Sequence, residues 1–259
     1  MTQEEERAKL RETGFRFLAA LDEMSARKVQ DNLRTLAPEL GDFIVEFAYG
    51  TVISRPGLDL PTRQVATVAA LAALGNAPDQ LKFHLGGTLN VGVTPRQIVE
   101  IMYLVTVFCG FPAGLNGLAA AQAVFEQRGL AVELVPAPQG ARRERGLAAL
   151  EATSGPAGEE VLNSLAEIAP ALADFILEFS YGDVISRPHL PPAWKETVMI
   201  AAAAARGGMT PQLKVHLKAA LAVGMTQEEL LEVMNQLAIY AGFPSALNGV
   251  AALQEVVTD

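Results

Sequence analysis

Apolar positions recur at helical spacing along most of the chain. Phe43, Ile44, Phe47 and Tyr49 mark one such face, and Gly50 directly after them predicts a stop. Residues 62–74 form an Ala-rich apolar stretch too long for an ordinary strand; it ends at Gly75, which predicts a buried helix. A further helix is predicted from about Asp79 to Asn90, closed by Gly92. Thr94, Pro95 and Gln97 then supply an N-cap, a first-turn proline and the third-position glutamine of a capping box, and Thr226 with Glu229 repeats the device. Gly110-Phe111-Pro112 breaks the pattern and restarts a helix through Asn116 to Glu126. No stretch sustains a strand-like alternation, so the pattern predicts an all-α protein.

The pattern also occurs twice. APELGDFIVEFAYGTVISRPGL at residues 37–58 returns 132 residues later as APALADFILEFSYGDVISRPHL at residues 169–190. The same offset aligns His84-Leu85 with His216-Leu217, and Gly110-Phe111-Pro112 with Gly242-Phe243-Pro244. The chain therefore reads as two tandem copies, residues 11–127 and 143–259, joined by a linker at 128–142 containing Val135-Pro136-Ala137-Pro138. Two copies are too few for a solenoid and predict a pair of domains.

Composition narrows the function. Half of the 259 residues are hydrophobic and 19% are charged, enough apolar surface to offset the entropy of ordering a core. A net charge of −9 with no long basic run argues against nucleic acid as a partner. The longest apolar runs are too short for a membrane span. The polar, acidic start MTQEEERAKL does not resemble a secretion signal, and a lone Cys109 allows no intrachain disulfide, so a reducing cytoplasm is the expected location. Cys109, in an apolar run and matched by Ala241, is expected to be a small buried hydrophobe.

Few residues offer chemistry. His84, His189 and His216 show no metal-ligand spacing, and no CxxC, GxGxxG, Walker loop or GxSxG elbow is present, so neither a metal nor a cofactor is expected. What remains is a constellation present in both copies: Glu46, Tyr49, Arg55 and His84, matched by Glu178, Tyr181, Arg187 and His216. Glu46 lies among Phe43, Ile44 and Phe47, so burial could keep it protonated as a proton donor; the alternatives are a surface carboxylate or an ion pair with Arg55. Arg55 precedes Pro56, which places it on a bend where it could fork onto a substrate carboxylate or clamp the fold. His84 is the side chain best suited to proton transfer near neutrality, or else a satisfied core histidine. Tyr49 could donate a hydrogen bond or simply pack.

The strings Ser54-Arg55-Pro56-Gly57-Leu58-Asp59, Thr62-Arg63, Ala69-Ala70-Leu71-Ala72-Ala73-Leu74-Gly75, His84-Leu85, Gly92-Val93-Thr94 and Gly110-Phe111-Pro112-Ala113 resemble the carboxymuconolactone decarboxylase family, within the alkylhydroperoxidase D-like superfamily. The resemblance spans both copies. It implies tandem alkylhydroperoxidase D-like helical domains and homo-oligomers, with a two-copy chain forming a trimer that imitates a hexamer of single-domain subunits. It implies a cofactor-independent carbon–carbon lyase of aromatic catabolism, converting 4-carboxymuconolactone or a similar lactone acid. Arg55 would anchor a carboxylate, His84 would be the first choice of acid and Glu46 the second. The peroxidase branch carries two cysteines before its histidine, and these positions are Ala77 and Gln80 here, and Met209 and Gln212 in the second copy, so thiol peroxidase chemistry has no mechanism. Copy two departs at His189, Pro191, Lys195 and Glu196, which stand where copy one has Gly57, Asp59, Arg63 and Gln64. The alternatives are a related lyase, isomerase or hydrolase on another small acid, or a non-catalytic oligomer that binds small molecules.

Overall fold

In the computed structural model, which describes residues 2–258, every element among those residues is helical. The first copy runs α1 (Gln3–Leu33), α2 (Pro38–Phe43), a π-helical segment (Ile44–Ile53), α3 (Leu60–Leu74), α4 (Pro78–Asn90), α5 (Pro95–Cys109) and α6 (Phe111–Arg128). The second runs α7 (Arg142–Thr153), α8 (Gly155–Leu165), α9 (Pro170–Phe175), a second π-helical segment (Ile176–Ile185), α10 (Pro192–Arg206), α11 (Thr210–Ala222), α12 (Gln227–Tyr240) and α13 (Phe243–Thr258). A kink at Asp22 (φ −163°, ψ 106°) divides α1 where Ser154 separates α7 from α8. The connection between α6 and α7 is not helical.

The Ala-rich helices α3 and α10 pack against each other at the centre, and residues 65–73 and 198–205 are buried. Small side chains let the two backbones come close, which is why this apolar stretch is alanine rather than leucine. Around the pair the copies exchange partners: α5 packs on α10, and α12 packs on α3. Trp194 at the start of α10 donates to Thr62 Oγ1 at 2.9 Å, joining the same two helices. The two copies thus share one core.

Helix ends follow their sequence signals. Asp59 accepts from the Thr62 amide at 2.8 Å to open α3, and Gly75 closes it at φ 69°. Thr94 and Thr226 both form the expected capping boxes. Cys109 is half-buried and packs against the core, and burial pushes its thiol upward.

Gly50 is a correction. It does not stop the helix, which continues as a wide π-helix to Ile53. A Cβ on Gly50 would collide with the Leu10 carbonyl, and one on Gly14 with the Val45 carbonyl; Gly182 and Gly146 face Arg142 and Leu177 in the same way. The glycines let the first helix of each copy lie against the π-helical backbone. Gly14→Ala is therefore expected to destabilise by about 1–3 kcal/mol, the usual cost of overpacking. Gly41→Ala, whose Cβ would meet Gln30 at an ordinary 3.4 Å, is the control. Thermal melts of the two variants, read by circular dichroism, check the difference; equal melting points would refute the close-approach argument.

Candidate active site

Each copy has one pocket beneath its α4 or α11 helix. The copy-one pocket, about 560 Å³, is lined by Ile44, Ala48 and Tyr49 of the π-helical segment, Phe83 and His84 of α4, and Tyr240 from copy two. Lys28, Asn32, Asp79 and Gln80 add polar groups, with Lys28 exposed. The copy-two pocket, about 320 Å³, holds Ile176, Tyr181, Val215 and His216, and Phe108 reaches in from copy one. Apart from His216 its lining carries no ionisable side chain except the Tyr181 phenol. Each pocket is composite because α5 and α12 cross over.

The histidines are buried and anchored through Nδ1. His84 Nδ1 lies 3.0 Å from Gln64 Oε1, and Tyr240 meets the His84 ring edge-on at 5.1 Å between centroids. Burial pushes His84 down to about 3, so its imidazole is neutral in neutral solution. His216 Nδ1 lies 2.8 Å from Glu196 Oε2, with Phe108 edge-on at 5.0 Å. Burial raises Tyr49 well above its ordinary value, so it is present as the phenol. Tyr181 is raised in the same way and shares a 2.8 Å hydrogen bond with Ser154. The Tyr240 hydroxyl is buried beside Tyr49 and Thr67 without a well-formed hydrogen bond.

The structure brings Tyr49 to His84 and Tyr181 to His216, and brings neither the arginines nor the glutamates to them. Arg55 lies outside the His84 pocket, its Nε 2.6 Å from Glu232 of α12; fully buried Arg63 holds the other Glu232 oxygen at 2.9 Å. Arg187 forks onto Glu100 of α5 at 2.7 and 3.0 Å, and Arg96 pairs with the same carboxylate. Arg55, Arg63 and Arg187 are held across the junction between copies. Burial works to raise the Glu232 carboxyl, but hydrogen bonds from Arg63 and Arg55 outweigh it and leave it below the usual range.

Glu46 is a second correction. Burial alone would raise it, as the sequence suggests, yet hydrogen bonds from Arg7 and Arg11 on α1, at 3.0 and 2.9 Å, prevail and hold it low. It is ionised, and it ties α1 to the π-helical segment. Its counterpart Glu178 is 41% exposed with only a 3.9 Å approach from Arg143. Neither glutamate lines a pocket.

Sequence reasoning gave no role to four residues that touch the histidines, two of them, Gln64 and Glu196, noted only as a difference between the copies. Gln64 and Glu196 were visible as polar residues inside an apolar helix, 20 residues before each histidine. Phe108 and Tyr240 come from the opposite copy, which no local pattern shows. Among the described residues, no group of His, Cys, Asp or Glu is arranged to hold a metal ion, and no helix is long and apolar enough to cross a membrane.

Fold and pockets define a class: an all-α tandem duplication with a buried imidazole in each of two composite pockets. The chain belongs to the carboxymuconolactone decarboxylase family, whose model matches residues 38–123 and again 170–255. It is 36% identical over 115 residues to the 4-carboxymuconolactone decarboxylase of Acinetobacter baylyi, covering 44% of this chain and 85% of that protein. It is 32% identical over 104 residues to a nitrosuccinic acid decarboxylase of Metarhizium robertsii, covering 39% and 72%. A solved chain from Burkholderia xenovorans, assigned as a gamma-carboxymuconolactone decarboxylase subunit, superposes with a TM-score of 0.57 at 26% identity and 97% coverage of both chains.

Proposed function

We propose that this protein is a cofactor-independent carboxy-lyase for a small unsaturated lactone acid, with 4-carboxymuconolactone as the first substrate to test. The observation that carries the reading is the buried imidazole of each pocket, held through Nδ1 and set beside a tyrosine in an apolar wall. The decarboxylase names of two relatives support the reaction class.

Such a substrate brings its own electron sink. When the carbon–carbon bond to the carboxylate breaks, CO2 leaves and the electron pair delocalises through the alkene onto the lactone carbonyl. A protein need only hold the substrate in a weakly polar wall, donate a hydrogen bond to the developing enolate oxygen, and return one proton to carbon. Tyr49 and Tyr181, both present as phenols, would donate to the oxygen, a contribution typically of order 10²–10³ in rate. One of the two pocket histidines, His84 or His216, would return the proton, a step worth on the order of 10²–10⁴. In copy one Lys28 at the rim is the cation that would meet the retained carboxylate, in place of Arg55. Glu46, Arg55 and Arg187 hold the architecture in this reading. Exposed Phe43, Phe111 and Leu115, with Phe175, Phe243 and Leu247 in copy two, favour self-association of the chain.

Purified protein should release CO2 from synthetic 4-carboxymuconolactone with loss of ultraviolet absorbance, and His84→Gln combined with His216→Gln should abolish it. Wild-type inertness with an intact helical spectrum would sink the proposed substrate.

A further inference from the structure

The two pockets give their histidines different partners. Glu196 is wholly buried on α10, and Gln64 is wholly buried at the matching place on α3. As a carboxylate Glu196 can only accept, which would set the imidazole hydrogen of His216 on Nδ1 and leave Nε2 a lone pair for a ligand. When Nε2 takes up a proton, the resulting cation has a counter-charge 2.8 Å away. Gln64 offers no such charge, and its amide can face His84 with either its oxygen or its nitrogen. Burial, with no counter-charge to offset it, holds His84 down to about 3.

A second observation marks Glu196. Its Oε1 is buried with no hydrogen-bond partner, as is the Gln64 Nε2 at the matching place, but at Glu196 the unpartnered atom belongs to a carboxyl group, which costs more to bury than an amide. The linings differ in the same sense. The copy-one pocket has Lys28 and Asn32 to meet an anion, with Asp79 also in its lining, whereas the copy-two pocket is smaller and, apart from Ser180 and Gln212, apolar around its dyad.

We propose that the chain divides its chemistry: protons move in the copy-two pocket, through His216 positioned by Glu196, while the copy-one pocket around His84 and Gln64 holds a small carboxylic acid without transferring a proton. Substrate and direction of transfer rest on the lyase reading. In the step itself, Nε2 of the His216 imidazolium gives its proton to the substrate carbon that has lost CO2. A C–H bond forms, an N–H bond breaks, the enolate electron pair makes the new bond, and neutral His216 keeps its Nδ1 hydrogen on Glu196. A proton from water then resets the pair.

The test joins turnover of 4-carboxymuconolactone to ¹⁵N spectra of the full chain, whose three histidines are readily assigned. Wild-type His216 should show Nδ1 protonated and Nε2 bare, and Glu196→Gln should abolish that fixed form. The same variant should lower kcat by about 100-fold or more with KM changed only a few-fold. His216→Gln should lose as much, and His84→Gln less than tenfold. Since glutamine is the residue that copy one already carries at this position, Glu196→Gln is expected to fold, and its melting curve verifies that. Equal losses in the two histidine variants, or His216 protonated on Nε2 in the wild type, would overturn the proposal. Should the wild type leave the lactone untouched, the lyase reading fails alone, and the His216 tautomer still decides for or against the dyad.

Discussion

Replacing Glu232 with glutamine is expected to cost about 3–5 kcal/mol of stability, the usual penalty for breaking a buried ion pair from one side. Glu232 is 2% exposed, and its two oxygens are divided between Arg55 and Arg63. Arg63 is also buried, so the variant leaves a full positive charge in the core, supported only by the carbonyls of Leu58 and Arg55 and by Gln236. Arg55 is half exposed and can turn to water, so Arg55→Met should cost no more than about 1 kcal/mol. The paired change Arg63→Met with Glu232→Leu removes both buried charges and should recover most of the loss. Urea unfolding of the four proteins completes the comparison. If Glu232→Gln unfolds at the wild-type midpoint, the junction between copies does not depend on this charge.

That ion pair also shows why the sequence was only partly readable. The duplication, the helices and their caps were legible because each depends on residues close together in the chain: Thr94 with Gln97, Asp59 with Thr62, Gly75 after its apolar run. The crossing of α5 and α12 to the opposite copy depends on shape, and it decides what Arg55 and His84 touch. Arg55 on a bend before Pro56 suits a substrate carboxylate and a protein carboxylate equally well, and only the fold puts Glu232 in front of it. For Glu46 the apolar neighbours were visible, but Arg7 and Arg11, 39 and 35 residues earlier on α1, were not connected to it by any local pattern. The π-helical turn had no recognised signature, because Gly50 reads as a stop until Leu10 is placed against it.

Acid should weaken the fold through His84 before Glu46 and Glu232 take part. An unfolded histidine titrates near 6.5, whereas burial lowers His84 to about 3 in the native protein. Between those values the unfolded chain binds a proton that the native chain does not, so native stability falls as pH falls from 6.5 towards 3. Above 6.5 both states are neutral and the residue contributes nothing to the slope. At about 1.4 kcal/mol per unit, the loss reaches roughly 2 kcal/mol by pH 5. Glu46 and Glu232, both lowered from an ordinary 4.5, add their own losses only below that value, which leaves pH 4.5–6.5 as the clean window. Urea midpoints at pH 7.5 and pH 5 for wild type and His84→Gln read the effect, since glutamine does not titrate. The wild type should lose about 2 kcal/mol more than the variant over this interval. Parallel loss in both proteins would mean that His84 is protonated as readily in the native state as in the unfolded one, and that the copy-one pocket is open to a cation after all.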